Sequence, residues 1–185
     1  MKLTLSKRKG EKKSELTQIK YEGDIPAILY HAGKAGEKIV VKGSEFHAAL
    51  REMPKGYLPT KIFELELEGK KCKGIVKDIQ YHSTTYQIVH LDFLELKDKE
   101  IVELLVPIDW IGEAECVGIK LGGFLRPARR HIKVRCLPKD IPTDFKVDIK
   151  DLQMNQIRKV SDIKMEKGVR SLVPGSEIAC AIAKR

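Results

Sequence analysis

Apolar and polar residues alternate with a period of two along much of this chain, and no other feature constrains the fold as strongly. That period suits a half-buried strand and cannot build the apolar stripe of a helix. In Lys61 to Glu68, Phe63, Leu65 and Leu67 face one way while Glu64, Glu66 and Glu68 face the other. Gly69-Lys70 then turns the chain toward Lys71 to Lys77, which predicts a hairpin. The same alternation runs through Val102, Leu104, Val106 and Ile108, through Ile132, Val134 and Cys136, and through Phe145, Val147 and Ile149. A mainly β protein follows.

One helix is clear against this background. Ser44 offers an N-cap, Phe46, Ala49, Leu50 and Met53 recur at helical spacing, and Pro54 and Gly56 stop the run. This helix is expected to cover one end of a sheet or barrel. Ser14 to Tyr21 predicts a weaker helix, and Asp151 to Gln156 a single turn of one. The chain has 185 residues, 42% of them hydrophobic, which suffices for one large core or two small ones. The charged stretch Leu96-Lys97-Asp98-Lys99-Glu100 separates two strand-like runs, so two β-rich domains are expected, residues 1–95 and 96–185.

A net charge of +9 favours a polyanionic partner. The charge is uneven: residues 1–20 hold seven Lys and Arg against two Glu, and residues 116–139 hold seven with no acid. The second cluster contains Arg126, Arg129, Arg130, Lys133 and Arg135, which suit RNA phosphates, an acidic protein surface or a merely solvated edge. No apolar run approaches the roughly 18 residues of a membrane span, so a cytosolic protein is expected. Cys72, Cys116, Cys136 and Cys180 are spaced 44, 20 and 44 apart. No zinc or redox motif results, and buried, reduced thiols are expected.

Ile75 to Phe93 carries the most chemistry. Paired strands Ile75 to His82 and Gln87 to Phe93 put Ile79, Tyr81, Val89, Leu91 and Phe93 on an apolar face and Asp78, Gln80, His82, His90 and Asp92 on the other. Opposed residues share a face, so the hairpin needs an odd-length loop or a bulge to keep these sets together. His90 and Asp92 could form an acid/base pair, two metal ligands, a solvated strand face or a recognition face. No nucleophile elbow, zinc-binding helix motif or phosphate loop accompanies them. Gly122-Gly123 reads as a strand-connecting turn. Recognition suits Gln, His and Asp best, because they donate to and accept from base edges and 2′-hydroxyls. Tyr30, at the end of Ile25 to Tyr30, adds a phenol to that surface or stands on its rim.

Ile25-Pro26-Ala27-Ile28-Leu29-Tyr30, Asp78-Ile79-Gln80 and His90-Leu91-Asp92-Phe93 resemble signature segments of bacterial large-subunit ribosomal protein number twenty-five, a family that binds 5S rRNA. Gly118-Ile119-Lys120-Leu121-Gly122-Gly123, Cys136-Leu137-Pro138-Lys139-Asp140-Ile141-Pro142 and Val147-Asp148-Ile149 with Leu152 are similar to its two-domain CTC, or general stress protein, form. The resemblance covers nearly the whole chain. It implies an N-terminal β-barrel with a few short helices, docked on the loop E region of 5S rRNA. A C-terminal mainly β domain in the central protuberance follows, beside other large-subunit proteins or rRNA.

The resemblance implies no catalysis or cofactor and a cytoplasmic ribosomal location; no metal, no membrane and a monomer when isolated are expected besides. It matches Arg8, Tyr30, Gln80, His90 and Asp92 to the RNA surface, with Lys12, Lys13 and Lys20 expected on phosphates. Where the family has an arginine-rich run, this chain has Thr17-Gln18-Ile19-Lys20. The alternative is a stress-linked protein-interaction module of the translation machinery without stable RNA contact.

Overall fold

The alternating segments pair as strands in the computed structural model, which describes residues 1–8, 13–31 and 35–184. The chain divides into two compact units, Met1–Glu100 and Ile101–Arg185. The first holds β1 (Lys2–Lys7), α1 (Lys13–Tyr21), β2 (Ile25–Tyr30), β3 (Glu37–Val41), α2 (Gly43–Glu52), β4 (Ile62–Leu67), β5 (Lys70–Tyr81) and β6 (Ile88–Glu95). Its strands close into a barrel in the order β1-β3-β2-β6-β5-β4. Parallel pairing of β1 with β4 completes the ring, and β2 with β6 is the other parallel pair. Closure leaves no open edge for another chain to extend.

Leu3, Leu5, Ala27, Leu29, Ile39, Val41, Leu65 and Leu91 point inward and are buried. Phe46, Phe63 and Phe93 meet among them with ring centroids 6.4 Å apart, two of the three pairs edge-to-face. Phe46 comes from α2, so this helix plugs the barrel as its spacing predicts, with Ala49 buried and Leu50 and Met53 packed against the core. The β4–β5 hairpin turns on Glu68 and Gly69 rather than Gly69-Lys70. Both have positive φ, 48° and 82°, as the tightest two-residue hairpin loop requires.

Ser44 is not the cap of α2. The helix begins at Gly43, whose N–H donates to Asp24 Oδ1 at 3.2 Å, so the acceptor comes from the turn before β2. Glu45 in the first turn accepts from the Thr4 N–H at 2.7 Å and from its hydroxyl at 3.1 Å, tying α2 to β1. A Cβ on Gly43 would lie 1.9 Å from the carbonyl oxygen of Gly23. Two effects oppose each other in Gly43→Ala: a helical Ala gains about 0.5–1 kcal/mol over Gly, and the clash costs about 1–3 kcal/mol. The clash is against backbone and wins. The variant is expected to unfold at lower urea than the wild type, and an unchanged or higher midpoint would refute this.

The second unit contains β7 (Val102–Ile111), the short α3 (Val117–Lys120), β8 (Gly123–Pro127), β9 (His131–Cys136), β10 (Phe145–Asp148), β11 (Ile157–Lys159), β12 (Arg170–Ser171) and β13 (Ile178–Lys184). They form a four-stranded sheet, β10-β7-β9-β12, and a three-stranded one, β11-β13-β8. The residues selected by alternation in β7, β9 and β10 are buried, and Ile149 with them. Gly122 turns the chain from α3 into β8. Asp151 to Gln156 is an irregular turn and not helical, with Asn155 at φ 62°. All four cysteines are free; Cys116, Cys136 and Cys180 are buried and Cys72 is half-buried. Burial pushes the thiols of Cys72, Cys136 and Cys180 above their ordinary value, which keeps them protonated and unreactive.

Candidate nucleic-acid interface

A bulge resolves the register problem of the β5–β6 hairpin. The pairing shifts between Val76 and Asp78, so Lys77 is the extra residue. Beyond it Asp78 pairs with Asp92, Ile79 with Leu91 and Gln80 with His90, and the polar set lies together on the outside of the barrel. A second shift between Gln80 and Tyr81 ends the alternation. Tyr81 therefore lies 54% exposed instead of on the apolar face, and His82 falls in the loop beyond the strand.

Neighbouring strands extend this face. Ile28 of β2 sits beside Asp92, and Lys38 of β3 beside Ile28. The Arg8 N–H donates to the Lys38 carbonyl at 3.1 Å. One row thus runs Arg8, Lys38, Ile28, Asp92, Asp78, with Tyr30 two positions along β2 from Ile28. Arg8 Nε is buried with no hydrogen-bond partner among the described residues, leaving a donor for a ligand. Lys20 is exposed at the C-terminal end of α1, and Lys13 is that helix's first residue. Lys12 lies outside the described residues.

The face has definite hydrogen-bonding polarity. His90 Nδ1 lies 2.8 Å from Asp92 Oδ1, both side chains largely covered. The carboxylate is off the N–H axis, so the contact is electrostatic rather than an aligned hydrogen bond. It still favours the tautomer with the proton on Nδ1, leaving Nε2 as an acceptor. Tyr30 keeps its proton: burial first, then the charges of Asp92 and Asp78, raise its phenol above the ordinary value. A donor phenol, an acceptor imidazole, two carboxylates and the amide of Gln80 therefore face outward. Directly opposed carboxylates repel each other, and both repel phosphate. This surface suits hydroxyl and base-edge groups, with cations only at its margins.

A second histidine–carboxylate pair escaped sequence reading. His31 Nδ1 lies 2.5 Å from Glu95 Oε2 beside a cavity of about 170 Å³ that Cys72 also lines. Nothing local marks His31, because Glu95 reaches it only through the β2–β6 pairing. Among the described residues no group of three or more His, Cys, Asp or Glu side chains could hold a metal ion, and no helix is long and apolar enough to cross a membrane.

The basic run of the second unit is partly neutralised. Lys133 and Arg135 on β9 both pair with Glu103 of β7, at 3.1 Å for Lys133 Nζ and 3.2 Å for Arg135 Nε. Arg129 pairs with Glu177. Arg126 and Arg130 are exposed. Hydrogen bonds from Arg135 and then Lys133 hold the Glu103 carboxyl at about 2, against 4.5 ordinarily. Such a depressed carboxyl adds stability above its unfolded pKa that is lost as pH falls toward 2, a small amount for an exposed cluster. Glu103→Gln is expected to steepen the salt dependence of duplex RNA binding by about 0.9 for each cation released onto phosphate. An unchanged slope across a salt series would return Lys133 and Arg135 to a solvated edge.

The family model for the ribosomal L25p family matches residues 3–93, and that for the C-terminal domain of ribosomal protein TL5 matches residues 101–185. Large ribosomal subunit protein bL25 of Chlamydia muridarum is 40% identical over 185 residues, and that of Chlamydia trachomatis serovar A 43%. The Chlamydia pneumoniae protein is 40% identical, and each alignment spans 100% of both chains.

Proposed function

Since the chain belongs to the bL25 family in its two-domain form, we propose that residues 1–95 bind 5S rRNA at its loop E region and thereby fasten the protein into the central protuberance of the large subunit. The protein is a structural, non-catalytic constituent of the large ribosomal subunit and works on the cytoplasmic ribosome. The observation that carries the 5S reading is the row joining Arg8 to Asp78 and Asp92, with Tyr30, Gln80 and His90 beside it. Carboxylates, a donor phenol and an acceptor imidazole on one strand face suit a shallow RNA groove of 2′-hydroxyls and base edges. Arg8, Lys12, Lys13 and Lys20 supply the phosphate contacts that set register without reading sequence.

Of the five cations Arg126, Arg129, Arg130, Lys133 and Arg135, Arg126 and Arg130 are exposed and are the two offered directly to rRNA or an acidic protein face. Arg129, Lys133 and Arg135 join them only by exchanging their carboxylate partners.

The test is a titration of 5S rRNA with the full chain, residues 1–100 and residues 101–185. The cut at 100 is chosen because the Leu96 N–H donates to the Lys73 carbonyl at 2.8 Å, a contact that ends the barrel. Residues 1–100 are expected to bind within a few-fold of the full chain. Tighter binding by residues 101–185 would put the site in the wrong domain, and no binding by any of the three would sink the 5S reading.

A further inference from the structure

Beside the polar face, at the end of the barrel where β6 begins, lies a cavity of about 230 Å³. Lys20 of α1, His47 of α2, His82 and Gln87 at the two ends of the hairpin loop, and Ile88 and Val89 of β6 line it. It continues the face directly, since Val89 precedes His90, and Tyr81 pairs with Ile88 next to the Gln80–His90 pair. We propose that this cavity takes one unstacked nucleobase of the bound RNA, a proposal that rests on the RNA-binding reading above.

Size and lining favour a base. The volume is below the roughly 300–1,000 Å³ of sites for drug-sized ligands and suits a single ring system. Ile88 and Val89 offer aliphatic surface to a ring face. Gln87 offers both a donor and an acceptor to its edge. The loop around them is ordered by its own bonds: the His82 N–H donates to the Gln87 carbonyl at 2.8 Å, and the Tyr86 N–H to the His82 carbonyl at 3.0 Å. His82 Nδ1 accepts from the N–H groups of Thr84 and Thr85 at 3.4 and 3.3 Å. Its proton is therefore on Nε2, which is left as a donor of fixed identity. A phosphate site needs several converging cations or N–H groups, and Lys20 is the one Lys or Arg in this lining.

Three exposed tyrosines next in sequence to lining residues support the same occupant. Tyr21, Tyr81 and Tyr86 are 93%, 54% and 79% exposed. Each is the chain neighbour of a lining residue: Lys20, His82 and Gln87 respectively. Single-stranded bases stack on exposed aromatics, and these three stand one residue along the chain from the cavity's lining. Tyr86 is also held at φ 55°, a conformation that costs a non-glycine residue energy.

The full-length protein is titrated with AMP, CMP, GMP and UMP, and separately with inorganic phosphate, while NMR follows the His82 ring. At least one nucleotide is expected to shift that ring saturably, with phosphate leaving it unmoved. His82→Asn keeps an oxygen acceptor for Thr84 and Thr85 and so preserves the loop; followed in both proteins at the side-chain amide of Gln87, which lines the same cavity, that nucleotide should bind the variant about fivefold or more weakly. A phosphate shift equal to the nucleotide shift overturns the base assignment, and no shift with any nucleotide, or an unweakened His82→Asn variant, overturns the site. Mononucleotides need no 5S rRNA, so failure here is distinguishable from failure of the 5S titration.

Discussion

Phe93→Ala is expected to cost the N-terminal domain about 3–5 kcal/mol, against a total of about 5–15 kcal/mol for a domain. Phe93 is fully buried, packs edge-to-face on Phe46 and Phe63, and pairs with Val76 and Leu29 on its flanking strands. No neighbour can refill the space, because Phe46 is fixed by α2 and Phe63 by β4. The loss combines lost transfer energy with a residual cavity. Urea unfolding followed on each domain separately is the measurement. The transition of residues 1–100 should move far toward lower urea, and that of residues 101–185 should stay where it is. A shift of under about 1 kcal/mol would mean that the three rings do not form the keystone of this core.

His90→Ala and Asp92→Ala are each expected to weaken binding to loop E RNA by roughly 1–3 kcal/mol while leaving the salt dependence almost unchanged. The reason is chemical type: neither side chain can neutralise a phosphate in the arrangement described, so neither releases counterions. Lys20→Ala should do the converse, flattening the slope of log affinity against log salt by roughly 0.7–0.9 for its single contact. Running the variants across salt on loop E RNA and on a plain duplex of equal length decides the roles. Equal losses of the His90 and Asp92 variants on both RNAs would mean that the face does not read sequence. No loss on either would make it an ordinary solvated strand face.

The loss should be larger for Asp92→Ala than for a surface carboxylate elsewhere, because Asp92 also orients the His90 ring. A double-mutant cycle measures this coupling. If the two losses simply add, the 2.8 Å contact does not hold the ring for RNA.

Much of the protein is legible from local pattern. Period two places Leu104 and Val106 inward without knowledge of the partner strand, because side chains alternate whatever a strand pairs with. The helical spacing of Phe46, Ala49, Leu50 and Met53 likewise identifies the plug of the barrel, and His90 and Asp92 share the outer face of β6 for the same reason. The barrel, by contrast, was expected from family resemblance and not from spacing, since nothing in β1 announces its parallel pairing with β4.

Other features were decided by contacts between residues distant in sequence. The pattern required a bulge or an odd loop in the β5–β6 hairpin, but only the pairing with β6 selects Lys77 as the extra residue and turns Tyr81 out of the apolar face. Ser44 has the right chemistry for a cap, yet the turn at Gly23-Asp24 packs against Gly43 and supplies Asp24 instead. Residues 116–139 read as an unopposed basic run until β7 brings Glu103 beside Lys133 and Arg135. The cavity near His82 needs α1, α2 and the hairpin loop together. Alternation and helical spacing are properties of a few consecutive residues, so the sequence by itself determined the elements and their buried faces. Register, ion pairing and cavity walls depend on which strand lies alongside, and only tertiary structure decided those.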